Sequence, residues 1–95
     1  MSDLTIYYDK AKTKTEAMQL AKSAITPEYI AKFKVKAEIS YDEEIGEIKA
    51  QGKGFTLTLS FSDIDCRVTI DLSFLLRALK GKVLDTVEAK VKRTL

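Results

Sequence analysis

Ninety-five residues make one domain, large enough for a core of its own but with a modest stability margin. With 45% hydrophobic and 32% charged residues the balance is that of an ordinary globular protein and argues against a disordered chain. A net charge of +2 is too small to imply a nucleic-acid binder by itself.

Leu4 to Tyr8 is mostly β-branched or aromatic and predicts a short first strand with Leu4, Ile6 and Tyr8 on one face. Thr13 with Glu16 three residues later matches a capping box, which satisfies free N–H groups at a helix start. Ala17, Leu20, Ala21, Ala24 and Ile25 then recur at helical spacing. Thr26-Pro27-Glu28 breaks that helix, because proline lacks the N–H to continue it. The same triplet suits a new start, with Thr26 as cap and Pro27 at the first position. A short helix over Pro27 to Lys32 would present Tyr29 and Ile30 to the core.

From Phe33 the period changes to two. Phe33, Val35, Ala37, Ile39 and Tyr41 alternate with Lys34, Lys36, Glu38 and Ser40, a strand with one wet face. After the turn at Asp42-Glu43-Glu44, Gly46 to Gln51 forms a weaker strand, and Gly52-Lys53-Gly54 is a hairpin loop. Phe55, Leu57, Leu59 and Phe61 alternate cleanly with Thr56, Thr58, Ser60 and Ser62. A further turn leads to a strand with Cys66, Val68, Ile70 and Leu72 on its apolar side.

Ser73 is a good N-cap, and a helix counted to Arg93 has about 21 residues and a length near 31 Å, enough to cross the sheet. Its apolar stripe is Leu76, Leu79, Val83, Val87 and Val91. Gly81 inside it costs about 1 kcal/mol relative to alanine and suggests close packing against a strand or the first helix.

The order β-α-(short α)-β-β-β-β-α predicts an α+β fold. Four consecutive strands form an antiparallel meander and the first pairs with the last, giving sheet order 1-5-4-3-2. Both helices must cover the single apolar face, so a curved five-stranded sheet packs on a long C-terminal helix and a shorter N-terminal one. The arrangement is similar to a reduced helix-grip fold.

Charge is unevenly placed. Asp9 to Lys36 carries seven basic and three acidic residues, and Arg77 to Arg93 six basic and two acidic. Glu38 to Asp71 reverses this, with eight acidic and three basic. The helical parts are positive and the sheet negative, which can help docking of one on the other or offer a basic surface to an anionic partner.

Chemical equipment is sparse. With no histidine and one cysteine, the usual general base and any usual zinc site are missing. Asp63, Asp65 and Asp71 lack the glycine and terminal glutamate of a calcium loop and suit turns and a helix start. Cys66 falls on an apolar face as a small core residue, and a lone thiol suits a reducing cytoplasm. MSDLTIYYDK lacks the charged-then-apolar run of a signal peptide, and no apolar run approaches the roughly 20 residues of a membrane span. No cofactor, metal or nucleic acid is expected, nor any enzymatic activity; the location expected is cytoplasmic.

The segments FTLTLSFSDIDCRVTIDL and SFLLRALKGKVLDTVEAKVKRTL carry a likeness. Strand, short acidic turn, strand and leucine-rich helix start resemble the small bacterial polyhydroxyalkanoic acid system family, encoded near granule-synthesis genes. Ser73 stands where that family usually has proline, and Tyr41 lies in the region where a tryptophan is often found. The resemblance implies a cytoplasmic accessory protein in polyester storage, associated with granule proteins or the granule surface, and transfers no active-site residue.

Two functions are compatible with these residues. One is a non-enzymatic accessory or binding protein whose partner surface lies at the free helix end, Val91 and Leu95. The other is a small carrier or sensor holding an apolar ligand between sheet and helix, lined by Phe55, Leu57, Phe61, Leu76 and Leu79 with Tyr41 at the mouth. Homodimerisation through a sheet edge or the helix end is open to either.

Overall fold

The computed structural model describes residues 3–32 and 37–95, apart from the Leu75 side chain. Strand β1 (Leu4–Tyr7) is followed by helices α1 (Lys14–Ala24) and α2 (Pro27–Ala31). Strands β2 (Ala37–Asp42), β3 (Glu47–Gly52), β4 (Phe55–Phe61) and β5 (Asp65–Leu72) come next. A 3₁₀ segment (Phe74–Leu79) and helix α3 (Lys80–Thr94) close the order. The sheet is antiparallel in the order β1-β5-β4-β3-β2, as the alternation implied. The Phe33 to Lys36 part of the expected strand lies outside the described residues.

Register explains the core. Leu4, Val68, Leu59, Ile48 and Tyr41 form one cross-strand row, and Ile70, Leu57, Ala50 and Ile39 the next. Because successive side chains point to opposite faces, these rows make one continuous apolar surface. Ala17, Met18 and Ala21 of α1, Tyr29 and Ile30 of α2, and Val83, Val87 and Val91 of α3 complete the buried cluster. The opposite face of β4, with Thr56, Thr58 and Ser60, stays wet to partly wet. α3 packs mainly on α1, β1 and β5, α1 also reaches β4, and α2 rests on β2.

The local signals act as the residues suggest. The Thr13 hydroxyl accepts the N–H of Glu16, and the Thr26 hydroxyl accepts that of Tyr29, with Pro27 opening α2. Asp42 Oδ1 accepts the N–H groups of Glu44 and Ile45, and Gly46, at φ +71°, finishes the turn. Gly54, at φ +74°, turns the chain from β3 to β4. Lys22 Nζ lies 2.8 Å from Glu43 and ties α1 to the β2–β3 turn.

Two expectations are corrected. The single helix from Ser73 is instead a 3₁₀ segment followed by α3. The Ser73 N–H is held by the Gly54 carbonyl at 2.8 Å, its side chain makes no cap, and the chain leaves the sheet in a tighter winding. Gly81 is not at a close approach either. A methyl group added there meets nothing within 4 Å.

The β4–β5 turn carries a buried carboxylate. Ser62 Oγ donates to Asp65 Oδ1 at 2.7 Å and accepts the N–H groups of Ile64 and Asp65. Tyr8, just past β1, donates its hydroxyl to the Ser62 carbonyl at 2.7 Å. Burial, the neighbouring Cys66 and the neighbouring acids push the Tyr8 phenol well above its ordinary pKa.

Candidate functional site

Among the described residues, most of those expected to line a ligand cavity pack against neighbours. Phe55, Leu57 and Phe61 are buried against neighbours, and Leu57 exposes nothing, so no water-sized void borders it. Tyr41 is half-buried and donates its hydroxyl to the Ile25 carbonyl at 2.9 Å. Leu76 is half-buried beside Gly54, and Leu79 is 41% exposed. The 3₁₀ winding rotates Leu79 off the stripe that continues in Val83, Val87 and Val91.

The expected partner surface is also displaced. Val91 and Leu95 are only 2% and 1% exposed, so the helix end is not free. The Leu95 main-chain oxygen accepts N–H groups of Asp9 at 2.8 Å and Ala11 at 2.9 Å, and that of Lys10 as well. Starting at Lys80 instead of Ser73, the helix runs its last turn over β1 and α1, where both apolar side chains find cover.

Large exposed apolar side chains are spread over the fold: Tyr7, Ile45 and Ile64 are 69%, 59% and 65% exposed, and a further group lies in the 3₁₀ segment. Phe74 is 83% exposed, Ala78 and Leu79 also face water, and all three fall within the six residues of the 3₁₀ segment. Arg77, Lys80 and Lys82 surround them in sequence, and a cleft of about 410 Å³ beside the segment is lined by Ile70, Asp71, Leu72, Arg77 and Lys80. Lys80 is engaged with Asp3 at 3.0 Å, whereas Arg77 pairs with no carboxylate among the described residues. Sequence reasoning did not single out Phe74. The available signal was its position off the apolar stripe that begins at Leu76.

A second concave feature joins α2 and α3. A cleft of about 410 Å³ is lined by Tyr29, Lys32, Asp85, Thr86, Ala89, Lys90 and Arg93. Tyr29 donates its hydroxyl to the Thr86 carbonyl at 3.2 Å. The Lys32 and Lys90 ammonium groups stand 5.9 and 5.5 Å from the centre of its ring. Burial raises the Tyr29 pKa and the nearby Arg93 opposes that shift.

In the α2–α3 cleft the Thr86 hydroxyl donates to the Lys82 carbonyl at 2.8 Å. The Ser62 hydroxyl is saturated within its turn. Burial, and secondarily Asp65, push the Cys66 thiol up to about 12, far from the thiolate form at neutral pH. Among the described residues no three side chains of metal-binding type are grouped to hold an ion, and no helix is long and apolar enough to cross a membrane. Comparison with known protein families, with curated protein sequences and with solved structures finds no match.

Proposed function

We propose that this chain is a non-enzymatic accessory protein that binds the surface of polyester storage granules through its 3₁₀ segment. The observation that carries the binding role is the exposure of Phe74 at 83%, with Leu79, 41% exposed, at the far end of the same six-residue segment. Burying a phenylalanine side chain is worth about 1.5–3 kcal/mol, a gain the folded monomer forgoes at Phe74 and an apolar surface supplies. Arg77 and Lys82 favour a surface that also carries negative charge. The polyester assignment rests on the likeness of the β4–β5 and helix-start segments to the polyhydroxyalkanoic acid system family. The filled core supports a surface role over an internal carrier.

The test is co-sedimentation of the purified chain with polyhydroxyalkanoate granules. The wild-type chain is expected in the pellet, and a Phe74→Ser, Leu79→Ser chain in the supernatant with unchanged thermal stability. Equal binding by the two chains, or none by the wild type, would refute the assignment.

A further inference from the structure

We infer that the cleft between α2 and α3 is a binding site for a phosphate-bearing ligand with two or more negative charges. This does not rest on the role given to Phe74. Among the described residues three cations, Lys32, Lys90 and Arg93, line the cleft, against the single carboxylate of Asp85. Among the described residues none of the three cations is paired with a carboxylate, Asp85 included. Arg93 uses Nε on the Ala89 carbonyl at 3.3 Å, and its Nη groups have no partner among the described residues.

The site is held in place by its floor. Tyr29 is buried and fixed by its bond to Thr86, so its ring is a rigid platform shared by two helices. Lys32 and Lys90 lay their ammonium groups over that ring, an attraction of about 0.5–1 kcal/mol each at exposed sites. The contacts bias both ammonium groups toward the cleft before any ligand arrives. Thr86, Lys90 and Arg93 follow at helical spacing and keep one face of α3 turned to the cleft. A guanidinium beside two ammonium groups matches the fork and point charges that phosphate oxygens take. The volume of about 410 Å³ suits a small phosphorylated molecule or a lipid headgroup.

Titration calorimetry with inorganic pyrophosphate at low ionic strength tests the site, and vesicles of phosphatidylcholine with phosphatidic acid form a second arm. Binding of pyrophosphate identifies a free phosphate, and binding of the vesicles alone identifies a headgroup. In either arm a Lys90→Gln, Arg93→Gln chain should bind about tenfold more weakly or worse, the scale of a lost charge-assisted hydrogen bond. Asp85→Asn should bind about two- to fivefold more tightly, which a misfolded chain would not do. The Phe74→Ser, Leu79→Ser chain should keep its pyrophosphate affinity, so the two assignments fail separately. Absence of binding in both arms, or binding indifferent to all these charge substitutions, overturns the site.

Discussion

The carboxylate of Asp3 accepts the main-chain N–H of Ile70 at 2.8 Å, beyond the point where β1 stops pairing with β5. β1 has four residues and β5 eight, so among the described residues half of the β5 edge has no strand beside it. One side-chain oxygen extends the ladder there, and the other lies 3.0 Å from Lys80 at the start of α3. A single acid thus joins the sheet edge to the helix.

Both contacts favour the ionised acid and hold the Asp3 pKa below its ordinary value near 3.8, the Ile70 N–H most and Lys80 next. A carboxyl more acidic in the folded than in the unfolded chain stabilises the fold above about pH 4. That contribution is lost as pH falls through the lower folded value. Asp3→Asn keeps an oxygen for Ile70 but removes the charge. Urea midpoints at pH 7 and pH 3 should differ less in this variant, with a loss at pH 7 of about 1 kcal/mol or less. Glu43, also made more acidic by Lys22, titrates in both chains, so the comparison isolates Asp3.

Gly54→Ala should destabilise by about 1–2 kcal/mol or more, the cost of a left-handed backbone with a side chain. Its φ is +74°, and a methyl group there would stand 2.8 Å from Ser73 Oγ. A lower denaturant midpoint with an unchanged slope checks this.

Gly81→Ala should do the reverse. A new methyl group has open space, the position lies inside α3, and alanine favours the helix by about 0.5–1 kcal/mol. The expected result is a raised denaturant midpoint.

Cys66 should resist iodoacetamide at pH 8 in the native chain and react promptly in urea. Its thiol is buried and pushed up to about 12. Rapid native alkylation would show that β5 opens readily at that point.

The sheet was legible because alternation has one reading. Phe55, Leu57, Leu59 and Phe61 against Thr56, Thr58 and Ser60 fix both a strand and its buried face. The caps at Thr13 and Thr26 were legible for the same reason, since each bond reaches only three residues. The 3₁₀ segment was not. Leu76, Leu79 and Val83 fit helical spacing whether or not the winding tightens, and the Ser73–Gly54 bond that precedes the segment joins residues nineteen positions apart. The burial of Leu95 depends on N–H groups supplied by Asp9 to Ala11, more than eighty positions away. The basic cleft arises only when α2 and α3 become neighbours. Each helix alone shows no more than ordinary surface cations.

The pairing of β1 with β5 sets an order of events. β2 to β5 join through short turns, while Leu4 must find Val68 across most of the chain. Closing that long segment costs entropy before any contact repays it, so β1 is expected to dock after the meander and its helices. Ile6→Val should therefore speed unfolding and leave the folding rate nearly unchanged, whereas Leu57→Ala should slow folding. The strand read first is the last to find its place.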